Sequence, residues 1–540
     1  GGATLAAAVA IRDDDDAASS STLDMLTSLV DKSLLAIRDD APEPRYIMLE
    51  TIRAYGQLRL DEAGEHETAR MAHAAYFERL ASDASDKLLG AEQLPWLAKL
   101  TADHDNLNTA VRYAAAAGDA RRAVRLVGSL GWYWWLRGHR SEGVELVKAA
   151  LALDYDDADL SDPELEERAI AYTVGALLTV DSTKEMSLAL EWFDAGAEIV
   201  ERIGWPSTPL LRLVVPLRKG VFETYQSGVP PVDDDLGMPI DDPFPWIAAT
   251  ARIMRAHVLL NFGRALERAD DDFRAALAVY RQLGERWGTA VSLVSLGGLA
   301  AWRGDFRTAI ADLDEALCCV TEMGAWEDRV VFQVFLARFL WADGDRDRAY
   351  ASLAAAERGA HRLGVPEAQA NVSVAASDLA RLDGDLFLAL DHLRRAERFA
   401  AHDTVASQLR AIVASSRGYL EAAQGEVEEA RRWHRAAVDY AISPVDAPVI
   451  AQVLVGLAEI SLLDGKPGSA AMILGASAAV RGTEDLSLMD GRRVTSAARA
   501  ALGEEHFDAA YQRGLTTTTK QIGALVGIDL PELTAAPHDS

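Results

Sequence analysis

Five aspartates crowd a short stretch, Asp154, Asp156, Asp157, Asp159 and Asp162, and acids at such density could hold Ca2+. A calcium loop of the EF-hand type also needs a glycine at its sixth position and a glutamate at its twelfth. Both are absent, so these are read as solvated loop acids. His66-Glu67 with His73 offers the ingredients of a zinc protease, but the histidines stand seven apart. Zinc needs them four apart on one helical face. Gly465-Lys466 imitates the end of a phosphate loop, yet Pro467 follows and the upstream glycine is missing. No other phosphate loop, no dinucleotide-binding glycine pattern and no G-x-S-x-G elbow occurs. No nucleophile, base and orienting acid can be assembled. The chain is therefore expected to be no enzyme and to hold no metal or cofactor of its own.

One patch stands apart, Gly131-Trp132-Tyr133-Trp134-Trp135-Leu136-Arg137-Gly138-His139. On a helix Trp132 and Trp135 share a face while Trp134 points elsewhere. Aromatics on two faces can pack between neighbouring helices, or part of them can line a groove for an effector or a neighbouring domain. Under the second reading Trp132, Trp135 and His139 are the candidate contact residues.

Composition narrows the partners. The chain has 540 residues, too many for one core, and 54 Lys and Arg against 83 Asp and Glu give a formal charge of -29. So acidic a surface repels phosphate backbones, and no strongly basic patch offsets it. Direct nucleic-acid binding is not expected. The only cysteines, Cys318 and Cys319, are adjacent and read as two small buried apolar residues rather than a disulfide or a metal pair. No apolar run is long enough to span a membrane, and no signal peptide is visible. A cytoplasmic location is expected. The chain opens Gly1-Gly2 without an initiating Met, which suggests a fragment of something longer.

The positioning elements are legible in outline. Ser21 can cap a helix whose apolar face is Leu23, Leu26 and Val30. Leu34, Leu35 and Ile37 form a short strand, and Tyr46 to Met48 a second. Between them Asp39, Asp40 and Glu43 outnumber Arg38 and Arg45, which suits an exposed but acidic wing. Leu49, Ile52, Tyr55 and Leu58 then repeat at helical spacing before a stop at Gly64. This order gives a partial winged helix over residues 1–64, with a structural rather than a DNA-reading wing.

Everything after that reads as helix. Glycines at 304, 344, 384, 425 and 465 are separated by 40, 40, 41 and 40 residues, and an alanine stands five positions after each: Ala309, Ala349, Ala389, Ala430 and Ala470. Glycine allows the left-handed turn that ends one helix, and the small residue lets the next helix approach its partner. Each unit is then a helical hairpin that must stack on its neighbours to bury its apolar face. The period exceeds the 34 residues of tetratricopeptide repeats, so longer helices are expected. Similar turns are expected at Gly118 with Ala123, Gly138 with Gly143, and Asp271 with Ala276.

The span from Trp205 to Trp246 breaks the rhythm with eight of the 18 prolines. The expected plan is a first helical section at 65–225, a proline-rich acidic loop at 226–245 and regular repeats at 246–482. Capping helices follow at 483–530 and a frayed tail at 531–540. The fold class is mainly α: a partial winged helix followed by a tetratricopeptide-like α-solenoid.

The run LVDKSLL…YIMLETIRAYGQLRLDEAGE…WLAKLTADHDNLNTAVRYA…GDARRAVRLVGSLGWYWWLRGH resembles the C-terminal half of large actinobacterial regulators, the AfsR/SARP-like and LuxR-like members of the STAND class of signal-transduction ATPases. The opening GGATLAAAVAI and the closing LGEEHFDAAYQRGLTTTTKQIGALV are similar to that family's winged-helix start and last helices. The resemblance implies a sensor and autoinhibitory, protein-interaction arm of a transcriptional regulator. It implies a nucleotide-binding domain upstream as partner, holding ATP and Mg2+, with a protein or small-molecule effector on the solenoid. Glu50 and Arg53, three apart on the helix after the second strand, would then serve the contact with that domain. A free-standing tetratricopeptide-like scaffold for partner proteins is the alternative.

Overall fold

The computed structural model describes residues 2–12, 18–39, 43–153, 160–179, 186–204, 206–224, 236–441, 446–528 and 530. The chain gathers into two compact units. The first is Gly1–Asp181 with Glu185–Val215 and Gln282–Glu285; the second is Ser182–Lys184 with Pro216–Arg281 and Arg286–Ser540. The fold is mainly α, with a tetratricopeptide-like solenoid of helical hairpins.

In the first unit, α1 (Leu5–Arg12) and α2 (Ala18–Asp31) lead to an antiparallel hairpin of β1 (Leu35–Arg38) and β2 (Arg45–Met48), with Leu35 opposite Met48. Ala3 pairs with Tyr46 through two backbone hydrogen bonds of 2.8 and 3.0 Å. α2 already runs at Ala18, so Ser21 lies inside the helix and does not cap it. A capping residue must have non-helical backbone, and the three residues before Ser21 are helical. α3 (Glu50–Ala63) stops at Gly64, whose φ of 71° needs glycine's freedom.

The wing needs a correction. Arg45 does not face solvent with the loop acids; it is buried and ion-paired with Asp103, and its guanidinium also donates to the Gly2 carbonyl at 3.0 Å. Asn106 donates to that carbonyl at 2.9 Å and to Asp103 at 2.8 Å. A guanidinium so buried is tolerated because it is paired and hydrogen-bonded. Asp40, Ala41 and Pro42 lie outside the described residues.

Helices α4 (His66–Lys87), α5 (Gln93–Ala102), α6 (His104–Ala116), α7 (Ala120–Arg137), α8 (Arg140–Leu151), α9 (Asp162–Thr179) and α10 (Met186–Ile203) complete the first unit's main elements. Their core holds Phe77, Leu80, Leu107, Val111, Val127, Leu130, Tyr133 and Trp134. Of the acidic run, Asp154 to Asp159 lie outside the described residues, and Asp162 opens α9.

The second unit shows the repeat most plainly. Gly304, Gly344, Gly384, Gly425 and Gly465 all have positive φ, between 72° and 97°. Ala309, Ala349, Ala389, Ala430 and Ala470 are all fully buried. Helices Phe306–Met323, Trp326–Asp343 and Arg346–Leu363 are each 18 residues long, which accounts for the long period. Gly324 and Gly364, with φ of 67° and 69°, turn the chain at the other ends of the hairpins. In that stretch a left-handed glycine recurs every 20 residues from Gly304 to Gly384. Large apolar side chains such as Leu313 and Leu393 are wholly withdrawn from water, each contributing roughly 1.5–3 kcal/mol.

Two further expectations fail here. Asp271 lies within the helix Leu266–Leu283, and the turn before it is made by Gly263 at φ 64°. Gly263 and, after it, Ala265 at φ 45° supply the left-handed backbone there, not aspartate; the buried small residue near the helix start is Ala269, while Ala276 is buried deeper in the helix. Cys319 is buried but Cys318 is exposed, because neighbours on a helix point about 100° apart. Of the expected loop at 226–245, residues 226–235 lie outside the described residues. From Leu236 to the helix Pro245–Asn261 the backbone forms turns without a regular helix or strand. The expected tail at 531–540 also lies outside the described residues.

Candidate functional site

The aromatic patch occupies the last turns of α7, and the structure divides it. Tyr133 and Trp134 are fully buried. A Cβ on Gly131 would sit 2.1 Å from Val174 Cγ1, so α7 and α9 approach too closely for any side chain there. A Cβ on Gly143 would sit 2.9 Å from the Trp134 ring, which sets α8 equally close to α7. Trp132 and Trp135 are half-buried with their rings stacked, 5° between planes and 6.4 Å between centroids. The Arg140 guanidinium lies 4.1 Å above Trp135.

His139 turns the other way. After Gly138, with φ 71°, it stands just before α8, and its imidazole lies 4.2 Å from that of His104, the first residue of α6, the rings tilted by 31°. His104 Nδ1 lies 3.0 Å from the Tyr133 hydroxyl and Nε2 2.9 Å from Glu142 Oε2. Buried Asn108 approaches the same Nε2 at 3.1 Å. The other Glu142 oxygen accepts from Arg112 at 2.8 Å. Burial, the neighbouring His104 and then Arg137 push the His139 pKa down to about 4, so its ring is neutral at neutral pH. Burial alone would raise the Glu142 carboxyl; His104 and Arg112 outweigh it and hold it below the usual range.

The structure thus splits the three residues singled out by sequence: Trp132 and Trp135 stay together, while His139 joins His104 and Glu142. Sequence reading missed His104, 35 positions upstream of His139, and Glu142. A signal for His139 was present, however. In the turns at Gly118, Gly304, Gly344 and Gly384 the next residue is aspartate, and its carboxylate accepts a helix amide at 2.9 to 3.2 Å. After Gly138 that place is taken by His139, whose side chain caps nothing. His66 and His73 do not come together: His66 pairs with Asp61, and His73 packs on Phe77.

The second sequence-derived pair is simple. Arg53 donates to Glu50 at 2.5 and 2.7 Å across the first turn of α3, and both side chains are exposed. The surrounding surface is more telling. No residue of α3 is buried, and Leu49, Tyr55 and Leu58 are 67%, 62% and 53% exposed. Ile37 and Met48 of the hairpin and Leu23 and Met25 of α2 are exposed as well. Of the stripe that the spacing assigns to an apolar face, Ile52 is half-buried and the other three residues are uncovered.

A polar cluster in the second unit, partly buried, has no counterpart in the sequence pattern. Arg381 pairs with Asp490 at 2.6 and 3.0 Å, and Arg493 joins Asp490 at 3.0 Å and pairs with Glu459. Tyr419 lies beneath Arg381, and His434, wholly buried, packs against Tyr419 at 4.8 Å. A Cβ on Gly418 or Gly456 would come within 2.6 or 2.2 Å of the His434 ring. The helix glycines thus make room for the imidazole.

No family model matches the chain. A stretch of 151 residues, 28% of the chain, is 32% identical to proteins of Mycobacterium bovis and Mycobacterium tuberculosis described as HTH-type transcriptional regulators. That stretch spans 17% of the length of those proteins. Among solved structures, the chain is similar to a Rap protein complexed with competence and sporulation factor. The TM-score is 0.47 at 14% identity, over 75% of this chain and 98% of that one. It is also similar to the APC/C hetero-tetramer Cut9–Hcn1, with TM-score 0.35 at 11% identity, over 95% of this chain and 99% of that one. Among the described residues, no helix is long and apolar enough to cross a membrane.

Proposed function

We propose that the chain is the regulatory, partner-binding arm of a transcriptional regulator. Its N-terminal elements seat on a nucleotide-binding domain, and its helical hairpins receive an effector. The observation that carries this reading is the uncovered apolar residues Leu49, Tyr55 and Leu58, together with exposed Ile37 and Met48 of the hairpin. Large apolar side chains left in water gain stability only when something covers them. The 32% identity to HTH-type transcriptional regulators over 151 residues points the same way. Exposed Glu50 and Arg53 would form the polar rim of that contact. ATP and Mg2+, and any hydrolysis, would belong to the seated domain rather than to this chain.

Direct DNA reading is not part of the proposal. The formal charge of -29 opposes it, and Arg45, one of two arginines flanking the wing, is engaged with Asp103. The regulator is proposed to act in the cytoplasm. A second reading, a free-standing scaffold, is favoured by the hairpins from Phe306 onward, whose apolar faces are buried within the second unit itself.

The test pairs this chain with the regulator's nucleotide-binding domain produced separately. Binding is expected with the wild-type chain, and Tyr55→Asp with Leu58→Asp should weaken it at least ~10-fold, since central apolar anchors contribute 2 kcal/mol or more. Equal binding by the two chains, or none by either, counts against the reading and favours the scaffold.

A further inference from the structure

We propose that His104, His139 and Glu142 form a binding site for a divalent transition-metal ion, with Zn2+ the ion that best suits them. One ligand atom from each lies within 4.8 Å of the other two. Two imidazoles and one carboxylate are the donor set that borderline ions such as Zn2+ take, often leaving a fourth position for water or an outside ligand. Bonds of about 2.0–2.1 Å place tetrahedral donors about 3.3 Å apart. Small side-chain rotations would close the site from its present geometry.

Three arrangements around the cluster fit a ligand role. His104 Nδ1 faces the hydroxyl of fully buried Tyr133 at 3.0 Å, which turns Nε2 toward Glu142. A hydrogen bond to the non-ligating nitrogen is the usual orienting device of metal-bound histidine. Arg112 holds the second oxygen of Glu142 at 2.8 Å and leaves the first toward the histidines. His139 stands where the turns at Gly118, Gly304, Gly344 and Gly384 carry a capping aspartate; like Lys466 after Gly465 it gives its helix no cap, but unlike Lys466 it offers a nitrogen ligand beside His104 and Glu142. An ion pair between His104 and Glu142 accounts for two of the residues. It leaves the second imidazole, 4.2 Å from the first, without a role.

The bound ion would staple the start of α6 to the turn between α7 and α8. All three ligands are partly exposed, so an ion can enter and an outside ligand can reach it. This site does not depend on the regulatory reading; it would bind metal in a scaffold equally well.

The experiment titrates the purified full chain with Zn2+ by calorimetry, and with Co2+ as an optical probe of coordination. Wild type is compared with His139→Asn and with Glu142→Gln. Asparagine is a good helix cap and a poor zinc ligand, so His139→Asn should keep or raise the melting temperature while removing one donor. One equivalent of Zn2+ is expected in wild type, with affinity falling at least ~100-fold in each variant, at or beyond the upper end of losses seen for outer-shell partners. Wild type that takes up no stoichiometric ion overturns the proposal. So does affinity unchanged in either variant.

Discussion

Helix α3 and the helix Ala447–Leu463 meet opposite fates. The second buries thirteen of its residues, from Ala447 to Ser461, while α3 buries none. Ala447–Leu463 is apolar nearly all round, with Glu459 its one charged residue, whereas α3 sets a narrow apolar stripe among charged residues; their neighbours differ as well. Ala447–Leu463 belongs to a stack in which each hairpin covers the next, and its core continues through Ala470, Ile473 and Phe507. α3 has Tyr55 and Leu58 turned to water, as is Leu49 just before it. A repeat array satisfies itself, whereas a helix at the edge of a small motif presents half an interface.

If that contrast is right, substitutions in the stack should unfold the chain and substitutions on α3 should not. The largest effect is expected from Arg381→Ala, which removes the guanidinium that holds half-buried Asp490 at 2.6 and 3.0 Å and leaves it Arg493 alone. Urea unfolding should show a loss of about 3–5 kcal/mol in that unit. Gly456→Ala places a methyl 2.2 Å from His434 Nδ1 and should cost about 1–3 kcal/mol by the same measurement. Asp345→Ala removes the cap that accepts the Arg348 amide at 3.2 Å and should cost about 1 kcal/mol. Least of all, Tyr55→Asp should move the stability of the chain alone by no more than about 0.5 kcal/mol. A large loss from Tyr55→Asp would mean that α3 is core, and the contrast would collapse.

What could be read from the sequence follows the same division. Glycine every 40 residues and alanine five places later are local signals, because a turn and a close approach each depend on one residue type. They predicted the hairpins, their register and the long helices. The intervening turns at Gly324 and Gly364 went unread, as did the aspartate after the glycine at 304, 344 and 384. Asp271 was mistaken for a turn because the neighbouring Gly263 shifts the pattern by eight residues. Interactions between distant elements were not legible at all. Arg381 and Asp490 are 109 positions apart, and Arg45 and Asp103 are 58 apart. Periodicity along one helix says which face is apolar, not which charge on another helix it will meet. His139 was singled out through its tryptophan neighbours, yet its partners are His104 and Glu142. Likewise, spacing picked out the apolar face of α3 but could not say that this chain leaves it open.

That open face is the most direct point of attack on the regulatory reading. Hydrogen exchange of the α3 amides, Glu50 to Ala63, should be compared between this chain alone and the full-length regulator with nucleotide bound. Slow exchange in the full-length protein against fast exchange in the chain alone is the predicted result. Equal exchange in the two, with the rest of the chain unchanged, would contradict the claim that α3 seats on a neighbouring domain.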